Sequence, residues 1–343
     1  MSAARALFLA DQFSDATRGP TERHPGGAEL TDAAAIAACP WPLTLRTFRA
    51  LAGEPSGFLD AFDVLVLGNS ETATPEQLAR ISATGRHVLF EHDLRICRFR
   101  GNFPVGRDAL HRTLQRCWCP HLEQRALFDT ARGVIFLTSL QERYYRQNPF
   151  FACRRSRVLG SSLFGTDLLG QPRPQGARAG DVVFASRHAV KGYRQSLRYC
   201  RRHGVEPAEI RDLAPPEVLA LFARSERFVY LPIGPEWAGR MVVEARLLGC
   251  EVVLNRHVGV AGEPFWSGDR DRALEFLADG PKRFWRLVEE LLDAGDVGAP
   301  RPVSTLEKSV NQLSRLLRAP KRAFWPRGIQ PPLSPPATRY PAW

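Results

Sequence analysis

The chain has 343 residues, 44% of them hydrophobic and 24% charged, and a formal net charge of +11. That length suggests two domains on a prior of roughly 150 residues each, with enough apolar content for two cores. No apolar run of about 18 residues occurs, which excludes a transmembrane helix, and residues 1–13 turn acidic too early for a signal peptide.

In chain order, residues 5–10 read as a short apolar strand. A polar loop leads to Gly26-Gly27-Ala28-Glu29 and a helix over 30–38. Strands follow at 43–48 and 62–68, the second a continuous apolar run of the kind buried on both faces of a parallel sheet. Thr74 caps a helix over 74–83 with Pro75 at its first position. A strand over 87–90 ends at Glu91-His92-Asp93, and 95–125 reads as loop plus helix. A strand at 133–138 and a helix at 140–146 close this half. The stretch 160–180, rich in Gly, Pro and Ser, marks a boundary.

A second alternation then begins. Strands are expected at 181–185, 227–231 and 251–255, with helices at 190–202, 216–224, from Met241 to Gly249, 271–278 and 281–294. Alternating strands and helices of these lengths build βα units on parallel sheets, so the fold class is α/β. The expected division is a domain over 1–165, a linker over 166–180 and a domain over 181–300. A basic helix within 301–323 crosses back to the first domain. A Pro-rich tail over 324–343 reads as extended or disordered.

The charge is uneven. Residues 95–157 hold thirteen arginines against four acids, and 301–343 hold eight Lys/Arg against one acid. Such regions suit a polyanionic partner, whether an anionic membrane face, a phosphorylated acceptor or nucleic acid. They also suit plain solubility, because arginine outnumbers lysine 43 to 4 throughout. Nucleic acid is the least favoured partner, since charge alone supports it. The seven cysteines are odd in number and scattered, which argues for a reducing compartment. Cys117-Trp118-Cys119, with Cys97 and His121 near it in sequence, reads as buried or incidental thiols rather than a four-ligand zinc site.

Four stretches carry chemistry. Gly26-Gly27, between a strand and its helix, lets backbone N–H groups face a phosphate, or is a plain loop. Glu91-His92-Asp93 ends a strand, and His92 is either a base or a structural histidine. Arg187 and Lys191-Gly192 follow the first strand of the second half, at the sheet edge where open α/β folds bind ligands. Lys191 is one of only four lysines, and its compact charge beside a glycine suits a diphosphate. Glu236 and Glu244 bracket a loop and a helix start, with Gly239 allowing close backbone approach between them.

Together these stretches resemble the GT-B glycosyltransferases, most closely the retaining, nucleotide-sugar-dependent family 4. Gly26-Gly27-Ala28-Glu29 is similar to that family's glycine-rich loop, and Arg187 with Lys191-Gly192 to its diphosphate clamp. Glu236 to Glu244 matches its E-x7-E motif, and Val258-Gly259-Val260 with Glu263 resembles the loop after the next strand. Ser186 stands where the family has glycine. The resemblance implies two Rossmann-like domains whose parallel sheets face a central cleft. It implies that Glu244 holds the donor's ribose and Glu236 its sugar hydroxyls. Arg187 and Lys191 neutralise the leaving diphosphate, with His92 near the donor sugar. Gly26, Gly27, Gly239 and Arg240 complete the donor-binding set.

No metal or other cofactor is expected, since preorganised cations supply the charge stabilisation and no Asp-x-Asp motif is suited to a metal. The expected partners are a nucleotide-sugar donor and a glycan or lipid-linked acceptor of the cell envelope, bound near 95–125. The expected location is cytoplasmic, peripheral to an anionic membrane face. Two other readings stay open: a sugar-nucleotide epimerase of the same fold, and an inactive nucleotide- or polyanion-binding relative.

Overall fold

The computed structural model describes residues 4–14, 24–97, 117, 119–120, 122–171, 174–295, 302–316 and 336–343. Most of the basic segment 95–125 and much of the tail lie outside the described residues. The chain forms two compact α/β units. The first comprises Met1–Arg100, Cys117–Gly165 and Leu277–Arg318; the second comprises Gly101–Arg116, Thr166–Phe276 and Ala319–Trp343.

The first unit is built on six parallel strands. They are β1 (Ala6–Ala10), β2 (Leu43–Thr47), β3 (Val64–Leu67), β4 (His87–Glu91), β5 (Gly133–Phe136) and β6 (Ser156–Val158), in the order β2-β1-β3-β4-β5-β6. In β1, Phe8 sits level with Leu45 on one side and Val66 on the other. All five β1 residues are buried, as an apolar strand covered on both faces of a parallel sheet should be. Thr74 caps the helix Pro75–Thr84 through a reciprocal box with Gln77, satisfying two of the orphan N–H groups at a helix start.

His87 lies in the core of this unit with no exposure. Its Nε2 is 2.7 Å from the carbonyl of Leu127, which assigns the ring proton to Nε2. Nδ1 is buried with no hydrogen-bond partner. A second proton would have to sit there, and burial accordingly pushes His87 down to about 4.

The second unit has the order β11-β10-β9-β7-β8. Its strands are β7 (Asp181–Phe184), β8 (Ala208–Ile210), β9 (Arg227–Val229), β10 (Glu251–Leu254) and β11 (Thr338–Tyr340). All pairings are parallel except β10 with β11.

The described structure departs from the sequence reading in several places. The tail, read as extended or disordered over 324–343, is described over 336–343, where it is extended and also pairs, as β11, with the edge of β10. Trp343 is buried, and the Arg246 guanidinium lies 4.2 Å from its ring centroid and 4.4 Å from that of Trp266. The helices expected at 271–278 and 281–294 are one helix, Arg270–Asp293, with Pro281 inside. Pro281 costs a hydrogen bond, but the helix runs on because Phe284, Trp285, Val288 and Leu291 beyond it are buried. Residues 277–293 of this helix belong to the first unit, where Trp285 Nε1 donates to the carbonyl of Ala35 at 2.8 Å. The short strands β6 and β8 lacked a long enough apolar run to be read. The helix expected over 190–202 begins at Tyr193, because Gly192 breaks it with φ +72°.

Two measurements test this description. Trp343→Ala should cost the second unit about 3 kcal/mol in chemical unfolding, as truncating a packed Trp does; a disordered tail would show no change. His87 is depressed from 6.5 to about 4, so its contribution is full above pH 6.5 and is lost as pH falls towards 4. His87→Gln should therefore flatten the decline of stability with acid relative to the parent chain over that window.

Candidate functional site

In the second unit the chain leaves β7 for β8 on one side, then crosses back to β9 on the other. The carboxyl ends of β7 and β9 thus flank a topological switch point, where connections diverge and open a crevice that takes ligands in open α/β sheets. The loop after β7 carries Arg187 and Lys191. The loop after β9 carries Glu236, and the helix Arg240–Leu247 that follows carries Arg240 and Glu244.

The two loops meet backbone to backbone. Ile233 N donates to the carbonyl of Val190 at 2.9 Å, and the two side chains pack together. A Cβ on Gly192 would lie 1.9 Å from the carbonyl oxygen of Leu231. Its positive φ adds a second reason for glycine.

Glu236 is pinned from the third loop, after β10. Its N–H donates to His257 O at 2.8 Å, and its carbonyl accepts from Gly259 N at 2.7 Å. Asn255 completes the frame, donating its side-chain amide to the carbonyl of Pro232 at 2.8 Å. The carboxylate so placed accepts from Lys191 Nζ and from Tyr230 Oη, each at 2.5 Å on Oε2. Burial, with Glu236 beside it, pushes the Tyr230 phenol well above its ordinary range, so it stays a donor. Tyr230 was missed from the sequence because it ends an apolar run and reads as core.

Gly239, at φ +54°, turns the chain into the helix Arg240–Leu247. One turn in, Arg240 Nε donates to Glu244 Oε1 at 2.8 Å, with both side chains near one-tenth exposed. Burial raises Glu244 above the usual carboxylate range, although Arg240 opposes it. Arg187 is not gathered into this cluster. It is 76% exposed and pairs with Asp212 at 2.9 Å.

The remaining predicted residues belong to the first unit. Gly26 caps the helix Gly27–Ala37, which starts three residues earlier than the apolar pattern suggested. A Cβ on Gly26 would lie 2.8 Å from Glu29 Oε2, and Glu29 accepts from Gln12 at 2.7 Å. His92 Nε2 is 2.7 Å from Asp32 Oδ1, each side chain only 3% exposed. Burial draws His92 towards neutrality, but Asp32 outweighs it and raises the imidazole above its ordinary value. Beside it Glu91 accepts from Arg95 Nε at 2.7 Å and from the Tyr145 hydroxyl. Asp32 carries no local sequence signal, because it sits in an alanine-rich helix sixty residues from its partner.

No protein-family model matches the chain, and no curated protein matches it. Solved structures similar to it include HepE from Anabaena in complex with UDP and glucose, 14% identical, covering 91% of this chain and 98% of that one at a TM-score of 0.44. The UDP-forming α,α-trehalose-phosphate synthase of Burkholderia xenovorans, in complex with glucose-6-phosphate, is 12% identical, covering 92% and 100% at 0.45. The UDP-GlcNAc 2-epimerase of Methanocaldococcus jannaschii, in complex with UDP-GlcNAc and UDP, is 10% identical, covering 91% and 99% at 0.39. At these identities and scores the likeness assigns no activity to this chain. Among the described residues no helix is long and apolar enough to cross a membrane.

The loop contact yields a direct comparison. Gly192→Ala drives a methyl group into backbone and should destabilise the second unit by about 3 kcal/mol. Gly85→Ala has a similar φ of +59° but open space around it, and should cost only about 1 kcal/mol. Equal losses in chemical unfolding would remove the case for a tight loop contact.

Proposed function

We propose that the chain is a glycosyltransferase that takes its sugar from a nucleotide-sugar donor held by the second unit. The observation that carries this is the convergence of Lys191 and Glu236 at 2.5 Å from the two loops flanking the switch point. A cation and a carboxylate at such a crevice match the two ends of a sugar diphosphate. Lys191 meets the diphosphate, with Arg187 swinging from the exposed pair with Asp212 to join it. Glu236, released from Lys191, accepts hydrogen bonds from the sugar hydroxyls. Glu244 accepts from the ribose hydroxyls near the start of its helix.

Breaking the anomeric C–O bond leaves the electron pair, and so negative charge, on the β-phosphate oxygen. Fixed cations stabilise that charge most in the transition state, which lowers the barrier. Lys191 and Arg187 fill this role without a metal ion. The acceptor is a glycan or lipid-linked sugar with a free hydroxyl. Transfer proceeds with retention, the acceptor hydroxyl attacking from the face the leaving group departs and passing its proton to the departing β-phosphate oxygen. His92 belongs to the first unit, where its pairing with Asp32 holds the imidazole in one orientation. The basic segments bring the enzyme to an anionic membrane face.

Thermal unfolding with UDP, GDP and ADP tests the donor site. One of them at about 100 times its Kd should add about 2.7 kcal/mol of stability. Lys191→Ala should weaken that effect and lower transfer about 100-fold or more. Glu244→Gln keeps an acceptor for Arg240 and should fold normally, yet lose at least about 10-fold in nucleotide affinity. No stabilisation by any nucleoside diphosphate would sink the donor site. Conversion of a free nucleotide sugar to its epimer, without transfer to any acceptor, would sink the transferase reading alone.

A further inference from the structure

The first unit gathers three cysteines that take no part in the proposed donor chemistry. Cys97 follows β4 by six residues, and Cys117 and Cys119 lie twenty and more positions later. All three are buried, and their three sulfurs lie within 4.8 Å of one another. Burying three thiols together has no packing rationale that three small apolar side chains would not meet as well.

The polar groups around them point at sulfur. Asn148, only 2% exposed, directs Nδ2 to Cys117 Sγ at 3.3 Å and to the carbonyl of Cys119 at 2.9 Å. Its orientation is determined, because Oδ1 accepts from Phe150 N at 2.8 Å. The backbone N–H of Cys119 donates to the same sulfur at 3.4 Å. Two N–H donors converge on this one buried sulfur, and contacts of that kind orient a metal ligand. Cys117 Sγ also reaches the carbonyl of Ile96, at 3.8 Å, and hydrogen-bonds with the other two thiols.

Spacing narrows the occupant. Thiolates on one tetrahedral ion with metal–sulfur bonds of about 2.3 Å stand about 3.8 Å apart, within the observed limit. The three thiolates that cap a four-iron cube stand on separate irons and are held further apart. A disulfide would use two of the three sulfurs and leave the third without a role.

We infer that Cys97, Cys117 and Cys119 hold one thiophilic metal ion of the zinc class, bound by three thiolates. On binding, the three thiols give up their protons to solvent as three metal–sulfur bonds form. The fourth position belongs to a water or an added ligand. A cavity lined by Ile96, Cys119, Arg125, Asp129 and Asn148 is its approach. The ion joins the end of β4, next to His92, to the segment that carries Cys117 and Cys119, and so serves structure rather than glycosyl transfer.

The test is elemental analysis of the full chain purified without chelators. It should contain about one zinc per chain, and Cys97→Ser, Cys117→Ser and Cys119→Ser should each lose most of it. Cys153→Ser and Cys200→Ser should retain it. Cobalt(II) added to the metal-stripped parent chain should give thiolate-to-metal charge transfer and the intense visible bands of a tetrahedral ion. This arm decides the matter even if the serine variants fail to fold. A parent chain without zinc and without those cobalt bands overturns the inference. So does a disulfide among the three by mass, or iron with acid-labile sulfide in place of zinc. None of these outcomes bears on nucleotide binding, so the site stands or falls apart from the donor reading.

Discussion

At Gly192 the backbone of the loop after β7 lies against the backbone at Leu231 and Pro232, closer than any side chain would allow. The candidate site of the second unit depends on that contact. Because the loops touch there, Val190 can bond Ile233, and Lys191 comes within 2.5 Å of Glu236. The third loop then fixes Glu236 from behind through His257 and Gly259. A carboxylate clamped by backbone on both sides needs little reorganisation to meet a ligand.

The charged residues of this site are held in pairs, Lys191 with Glu236 and Arg240 with Glu244. Pairing is required where exposure is low, because a lone buried charge costs several kcal/mol. On the glycosyltransferase reading, the pairs are also what the donor exchanges. A diphosphate replaces Glu236 at Lys191, and sugar hydroxyls replace Lys191 at Glu236. The exchange trades charged partners for charged and polar ones, so the crevice remains satisfied with or without its ligand.

The first unit solves the same problem more deeply. Gly68 leaves room for Asp32, whose carboxylate a Cβ there would meet at 2.8 Å, and Asp32 in turn supports His92. Arg95 links Glu91 to Ser70 and to the carbonyl of Gly68. The ends of β3 and β4 and the helix Gly27–Ala37 are thereby bound through side chains at their carboxyl edge. Cys97, two residues beyond Arg95, carries this arrangement on to the three thiols.

Much of the architecture was legible before any coordinates, because its causes are local. Apolar runs such as 62–68, the Thr74-Pro75 helix start and the Gly/Pro punctuation around 160–180 act over a few residues. The same holds for Lys191-Gly192, Gly239 and the two glutamates, whose residue types state what backbone or charge they supply. What the sequence could not reveal is who meets whom. That Arg187 rests on Asp212 and that Asp32 supports His92 depends on strand order, which places residues far apart in the chain side by side; that Tyr230 serves Glu236 depends on the loop after β10 that holds Glu236. The single helix across Pro281 and the strand at 338–340 were decided by burial of Trp285 and Trp343, a gain that outweighs local propensity. The sequence by itself determined the alternation of strands and helices and the chemistry available at each loop. Only the tertiary structure decided which charges pair and which three thiols converge, because those depend on distances set by packing rather than on neighbours along the chain.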